Sequence, residues 1–171
     1  SDVSHEWLWS LHPDKGDALS PEDYVAAVRL RLGCAGPADA VPCACCGNAV
    51  LGSSGLHALL CARGPSTQGH NAIRDELYAV AASLDSTSEK EPTGLIPSHP
   101  GLRPADLLTG ASGFSGRLAA LDVGVCCPAA SGAGADCVES MRQRKAARIE
   151  PFANELERGG IVYKPIVFSC F

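Results

Sequence analysis

Four metal-ligating side chains in a glycine-rich stretch constrain this chain more than any other feature of its sequence. Cys43 and Cys46 form a Cys-x2-Cys pair, and His57 and Cys61 follow with His-x3-Cys spacing. Thiolates and imidazoles in two such pairs are the ligands that Zn²⁺ takes at tetrahedral sites. Residues 43–69 show no helical or strand periodicity, so a zinc ion is predicted to order them. Because the protein fills all four positions, this zinc is expected to be structural.

Two alternatives to this ligand set remain open from the sequence. Cys45 adds a third thiol next to Cys46 and could replace one of the neighbouring ligands. The same residues could also be buried free thiols, but that interpretation leaves the stretch with little else to fold it. Most of the remaining, scattered cysteines are predicted to be small buried apolar residues: Cys34, Cys126, Cys127, Cys137 and Cys170.

Composition narrows the class of protein. Hydrophobic residues make up 46% of the 171 residues and charged residues 19%, which fits a folded core and excludes wholesale disorder. The net charge of -5 argues against a free-standing nucleic-acid binder, although a nuclease uses acidic residues to hold metal ions. No apolar run approaches the roughly 20 residues of a membrane helix. Nine cysteines, an odd count, without a secretory leader indicate a reducing, intracellular location.

Three stretches are predicted to be helical. Ser20 is a typical N-cap for a helix that would end at Gly33. A second helix is predicted over residues 71–84, and a third over residues 138–157 with a kink at Pro151. The apolar stripe of the second helix is formed by His70, Ile73, Leu77, Val80 and Leu84.

Three strands complete the predicted elements. Residues 103–109 and 117–126 read as strands, and the Gly/Ser-rich turn at 110–116 suggests a hairpin. Residues 161–168 form a last apolar run, which Pro165 restricts to an edge strand or a bulged strand. The order of elements predicts a mixed α/β fold with a small central sheet flanked by helices.

The chain is predicted to have three parts. Residues 1–42 form an N-terminal helical segment, residues 43–69 the zinc knuckle, and residues 70–171 the α/β domain.

Two aspartates on the predicted hairpin are the strongest candidates for chemistry. Asp106 and Asp122 each lie within an apolar strand, where a carboxylate is costly unless it is paired or bound to metal. Strand alternation places Leu121 and Val123 on one face and Asp122 on the other. Carboxylates on adjoining strands could share a Mg²⁺ or Mn²⁺ ion, since hard cations prefer oxygen ligands.

A basic residue on the third helix is the next candidate. Lys145 falls within the apolar stripe, four residues from Met141 and from Ile149, and is expected to point towards the sheet. There its ammonium would orient an attacking water or stabilise charge on a scissile phosphate. Two alternatives remain: a lysine that snorkels past its neighbours, and Arg148 in the catalytic role.

Residues around the second helix could complete the site. Glu76 could supply a third acid to the metal or be a solvated edge acid, and Glu91 before Pro92 is a further acidic candidate. Asn71 could contact phosphate or cap the helix. The residues predicted to contact nucleic-acid phosphates are His70, Asn71, Arg74 and Arg103.

Taken in order, these motifs resemble a known family. The chain is similar to the restriction-enzyme-like endonuclease module at the C-terminal end of some site-specific non-LTR retrotransposon polyproteins. That family has a Cys-Cys-His-Cys knuckle, an Arg-His-Asn motif, and Pro-Asp and Asp-containing strands. The counterparts here are Cys43, Cys46, His57 and Cys61, then His70-Asn71, then Pro104-Ala105-Asp106, then Asp122-Val123.

The resemblance implies a PD-(D/E)xK nuclease fold for residues 70–171 and Mg²⁺-dependent nicking of target DNA. In the family this nick primes reverse transcription in the nucleus, so the implied partners are target DNA, element RNA and an upstream reverse transcriptase domain. Asp106 and Asp122 would then hold Mg²⁺, Lys145 would assist catalysis, and zinc would only hold the knuckle.

Three departures from the family pattern stand in the sequence. Gly69 replaces the arginine before His-Asn, Ala105 separates Pro104 from Asp106, and Asp122-Val123-Gly124 lacks the lysine of the Asp-x-Lys signature. Two other functions therefore stay open. One is a catalytically degenerate nuclease fold that only binds nucleic acid, and the other is a zinc-organised interaction domain.

Overall fold

The computed structural model describes residues 20–31, 41–47, 50–51, 57, 61, 65–111, 116–128 and 136–169. The chain divides into two compact units, residues 1–57 and residues 58–171, and each is described by itself. The predicted three-part division stays a prediction. Gly33, Cys34 and Cys170, about which the sequence made predictions, lie outside the described residues.

The described residues of the first unit include a helix and a pair of short antiparallel strands. Helix α1 spans Pro21–Arg31. At its start, the amide of Tyr24 donates a hydrogen bond to the carbonyl of Ser20 at 2.8 Å. Strand β1 (Val41–Pro42) pairs antiparallel with β2 (Val50–Leu51).

The second unit is built on a four-stranded mixed sheet. The strands are β3 (Glu89–Lys90), β4 (Leu107–Thr109), β5 (Leu118–Cys126) and β6 (Ile161–Ser169), in the order β3-β4-β5-β6. The β3–β4 and β4–β5 pairs are antiparallel, and β5–β6 is parallel. The helices among its described residues are α2 (Pro65–Leu84), α3 (Cys137–Ile149) and α4 (Ala153–Arg158), with a 3₁₀ turn at Glu150–Phe152 between the last two. The predicted mixed α/β class is confirmed at this level.

The connection between β5 and β6 explains why the helices cover the sheet. Parallel neighbours need a crossover, and α3, the 3₁₀ turn and α4 supply it. Pro151 lies in the 3₁₀ turn, which confirms the predicted interruption of the long helix. Pro165 lies in β6, at the edge of the sheet. An edge strand pairs with a neighbour on one side only, so the missing N–H of proline is tolerated there.

The core of this unit lies between the sheet and the crossover helices. Ile149 and Leu156 from the helices pack with Ala120 of β5 and with Ile96 from the loop after β3. Each large side chain buried in this way contributes about 1.5–3 kcal/mol of hydrophobic free energy. The core therefore fixes α3 against the middle of β5.

The predicted apolar stripe of α2 is wrong at its C-terminal end. Val80 is 59% exposed and Leu84 is 73% exposed, whereas His70 and Arg74 lie on the partly covered side that leads to buried Ala81. The covered side of α2 therefore differs from the predicted apolar stripe. It carries His70 and Arg74, polar residues that pair with charged partners. No helix among the described residues has the length and apolar character to span a membrane.

Candidate functional site

An open cleft of about 270 Å³ lies where β5, α2, α3 and the segment before β4 meet. It is lined almost entirely by polar and charged side chains, which indicates a site for charged ligands rather than an apolar one. The lining residues are His70, Glu91, Arg103, Ala105, Asp106, Asp122, Lys145 and Arg148.

Asp122 is the most buried acid of the cleft, with only 4% of its surface exposed. Its Oδ1 accepts a hydrogen bond from the Lys145 ammonium at 2.7 Å. Its Oδ2 accepts from the Arg148 guanidinium at 3.1 Å and from the Tyr163 hydroxyl at 2.6 Å. These donors explain how β5 carries a carboxylate in its middle without the full cost of burying a charge.

Close packing at Gly124 brings Lys145 to Asp122. A Cβ on Gly124 would lie 2.7 Å from Sδ of Met141 and 2.8 Å from Cε of Lys145. Both distances are far shorter than an ordinary van der Waals contact. The absence of a side chain at this position lets α3 lie directly on β5, with Lys145 pointing towards the sheet as its place in the stripe predicts.

Asp106 lies immediately before β4 rather than within it, and three backbone contacts hold it. Its amide donates to the carbonyl of Leu121 at 2.9 Å, and its carbonyl accepts from the amide of Glu91 at 2.8 Å. Its Oδ2 accepts from the amide of Val123 at 2.7 Å. The carboxylate is thereby fixed beside β5, one residue from the strand position of Asp122.

His70 reaches the same point from α2. Its Nε2 lies 3.1 Å from the carbonyl oxygen of Val123 and 3.4 Å from Oδ2 of Asp106. A carbonyl oxygen can only accept, so Nε2 carries a proton and donates. His70 therefore holds the Asp106 side of the cleft together, and Asn71 contacts the other ring nitrogen at 3.5 Å.

Glu91 also lines the cleft. Its φ of 52° lies in the left-handed region, which is uncommon for a residue other than glycine and costs conformational energy. Its Oε1 accepts from Arg74 at 2.5 Å and its Oε2 from Arg103 at 2.7 Å. The strained backbone thus aims one carboxylate at two guanidinium groups.

Glu76, the predicted third acid, requires a correction. It is exposed on α2 and is not among the residues that line the cleft. The helix is rotated so that Arg74, with a side chain only 12% exposed, faces inward instead. Among the acidic candidates of the sequence, Glu91 occupies the position that was expected of Glu76.

One contact of the site had no signal in the sequence. Tyr163 of β6 donates to Asp122 because the parallel register pairs Ala120 with Tyr163 and Asp122 with Pro165. Burial, and then the carboxylate of Asp122, raise the pKa of the Tyr163 hydroxyl well above its usual range, so it stays a donor. The contact between Tyr163 and Asp122 could have been predicted only from the register between β5 and β6.

The metal-knuckle residues form a separate cluster. Cys43, Cys46, His57 and Cys61 place their ligand atoms within 4.8 Å of one another, and Sγ of Cys46 lies 3.3 Å from Nε2 of His57. Ligands at about 2.0–2.3 Å from a tetrahedral Zn²⁺ come within such distances of one another. The four residues could hold a metal ion, and three thiols with one imidazole are consistent with a structural zinc.

A tight turn creates the first half of this cluster. The amide of Gly47 donates to the carbonyl of Cys43 at 2.8 Å, and Gly47 has a φ of 67°, which glycine adopts without strain. The turn follows β1 directly and brings Cys43 and Cys46 to one side. Cys45 is exposed and is not part of the cluster, so the four-residue set, and not its alternative with Cys45, is what the structure brings together.

No protein-family model, no curated protein and no solved structure matches this chain.

Proposed function

We propose that the cleft hydrolyses phosphodiester bonds in DNA with the help of Mg²⁺ or Mn²⁺, as a restriction-enzyme-like endonuclease. The observation that carries this proposal is the contact between Lys145 and Asp122 in the cleft that also contains Asp106. Two acids and a lysine in one polar cleft are the set that metal-dependent nucleases need for water activation and charge stabilisation.

The charges of the cleft support an anionic substrate in the presence of a cation. Three acids line it, Asp106, Asp122 and Glu91, and three permanent cations balance them: Arg103, Lys145 and Arg148. A divalent cation would make this neutral cleft positive, which favours a phosphodiester. Within the described residues, Oδ1 of Asp106 accepts no hydrogen bond from a protein donor, so this oxygen is open to a ligand.

Each side chain then has a defined task. Asp106 and Asp122 would hold the divalent cation, which when bound would supply activation of a water and charge stabilisation at the phosphate. Lys145 directs its ammonium at the same place, where it orients the water or neutralises the developing charge. His70 and the amide of Val123 keep Asp106 in position, while Arg103, which pairs with Glu91 through Nη1, is exposed and has further N–H donors for a neighbouring phosphate.

The resemblance to retrotransposon endonuclease modules extends the proposal. We infer that the chain nicks target DNA in the nucleus so that reverse transcription can begin from the nick. Its partners would be target DNA, the element RNA and a reverse transcriptase domain located upstream in the same polyprotein. The zinc knuckle would support the fold and take no part in the chemistry.

Nicking of supercoiled plasmid tests this proposal. The zinc-loaded chain is expected to convert plasmid to the open circular form with Mg²⁺ or Mn²⁺, and Asp106→Ala is expected to remove this activity. Glu76→Gln is the matched control, because Glu76 is acidic but exposed outside the cleft. Cleavage that survives Asp106→Ala would refute the assignment of the site.

One observation favours a second candidate, a degenerate fold that only binds nucleic acid. Both oxygens of Asp122 already accept hydrogen bonds from protein donors, two of them cationic, and a metal ion has to compete with them. A gel shift with steep salt dependence but no nicking would support this candidate. Neither a shift nor nicking would instead favour a zinc-organised interaction domain.

A further inference from the structure

Two thiols outside the cleft lie in contact where β5 ends and α3 begins. Cys126 is the last residue of β5, Cys137 is the first residue of α3, and their Sγ atoms are 3.2 Å apart. Neither belongs to the zinc cluster, and no step proposed for the cleft uses them. Their proximity comes from the fold, because the two residues are 11 apart in sequence.

The two thiols differ in their surroundings. Cys126 is 7% exposed, whereas Cys137 is only half-buried at the start of its helix. Burial, and next the hydrogen bond with Cys137, raise the pKa of Cys126 to about 11, so Cys126 is a neutral thiol at physiological pH. A reagent from solvent therefore meets Cys137 first, with Cys126 directly behind it.

We propose that Cys126 and Cys137 form a redox-active dithiol that a peroxide closes into an intrachain disulfide. The arrangement is an accessible thiol with a resolving thiol beside it, which is typical of reversible cysteine oxidation. The proposal concerns this pair alone and is independent of the nuclease activity.

The oxidation of the two thiols by peroxide takes place in two steps. The Cys137 sulfur attacks one peroxide oxygen, the O–O bond breaks, and Cys137 becomes a sulfenic acid with release of one water. The Cys126 sulfur then attacks the sulfenic sulfur, the S–O bond breaks, and the Cys126 proton leaves with the hydroxyl as a second water. Two thiols are oxidised by two electrons and one peroxide is reduced to two waters. The sulfur atoms need to approach by about 1.2 Å to reach the S–S bond length of about 2.05 Å.

The fold gives the disulfide a definite place. The side chain of Asp136 accepts from the amide of Glu139 and caps α3, which holds Cys137 at the first position of the helix. The bond would tie the start of α3 to the end of β5. Closing this short loop is expected to raise the melting temperature of the chain by roughly 5 °C or more.

Peptide mapping of the full, zinc-loaded chain after treatment with hydrogen peroxide tests the proposal. After alkylation of the remaining thiols and digestion, we expect a cross-linked peptide pair that joins Cys126 to Cys137, about 2 Da lighter than the two reduced peptides together. Dithiothreitol is expected to release the pair and to reverse the rise in melting temperature.

Two serine variants define the pair. Cys137→Ser is expected to abolish the cross-link, whereas Cys127→Ser, which removes the buried neighbour of Cys126, is expected to retain it. The proposal is overturned if peroxide joins Cys137 to another cysteine. It is equally overturned if Cys137 in the wild-type chain is oxidised while Cys126 stays reduced, a result that depends on no variant folding.

Discussion

Lys145 fills the space that a side chain on Gly124 would take: its Cε lies 2.8 Å from the Cβ position of that glycine. Gly124 stands two residues after Asp122, where the Asp-x-Lys signature of PD-(D/E)xK nucleases has its lysine. The ammonium of Lys145 also reaches Oδ1 of Asp122 at 2.7 Å, from 23 residues further along the chain. The two positions are therefore sterically linked, since a side chain on Gly124 would meet Cε of Lys145 and one of the two would have to shift.

Removal of the Lys145 ammonium tests its role in the chemistry. Lys145→Met keeps most of the side chain's apolar contact, so we expect plasmid nicking to fall by about 10²–10³-fold. The free energy of unfolding should fall by only about 1–2 kcal/mol, because Arg148 and Tyr163 still donate to Asp122. Arg144→Met, which removes an exposed cation from the same helix, is the control for nicking and for urea unfolding. Equal losses of nicking in both variants would contradict a specific role for Lys145.

The steric link predicts that the lysine can be moved. Lys145→Ala should be nearly inactive, and the double variant Gly124→Lys/Lys145→Ala should recover at least about 10-fold of the nicking rate, since an ammonium again acts near Asp122. Gly124→Lys alone should be destabilised by about 1–3 kcal/mol through overpacking against Met141. The measurements are nicking rates and urea unfolding. A double variant no more active than Lys145→Ala would contradict the exchange.

The stability of the fold at acidic pH should depend on Asp85, which follows α2 and accepts hydrogen bonds from the turn after β4. Hydrogen bonds from the Thr87 hydroxyl, then from the amides of Gly110 and Thr87, lower the pKa of Asp85 from 3.8 to about 2. A depressed folded-state pKa stabilises the fold above the unfolded-state pKa, and this stabilisation disappears as the pH falls towards about 2. Urea unfolding should therefore show a constant difference between the wild-type chain and Asp85→Asn above about pH 5, which shrinks below about pH 4. A difference that does not change between pH 6 and about 2.5 would contradict this linkage.

Metal content tests the knuckle. Cys61→Ser should reduce bound zinc from about one ion per chain to well below one, because it removes one of four ligands. Cys45→Ser should keep the zinc, since Cys45 is exposed and outside the cluster. The zinc is measured by elemental analysis of the purified variants. Retention of zinc by Cys61→Ser together with its loss from Cys45→Ser would show that Cys45 is the ligand.

The sequence predicted the parts of the site that depend on local periodicity. Strand alternation placed Asp122 on the face opposite Leu121, and helical spacing pointed Lys145 inward, because each pattern is set by its own element. Pro151 and Pro165 marked the kink and the edge strand for the same reason.

The other parts of the site depend on tertiary contacts between helices and strands. The contact of Tyr163 with Asp122 needs the parallel register of β5 and β6, and the φ of Glu91 is held by tertiary contacts with Arg74 and Arg103. The rotation of α2 escaped the apolar pattern because its inner side carries charged groups with partners elsewhere. Hydrophobicity alone assigns such polar positions to solvent.

Calorimetric titration of the zinc-loaded chain with Mn²⁺ tests whether Asp106 and Asp122 share a divalent cation in one cleft. We expect saturable binding that weakens at least about 10-fold in Asp106→Asn and is unchanged in Glu76→Gln. No Mn²⁺ binding by the wild-type chain, or equal binding by Asp106→Asn, would contradict a shared site.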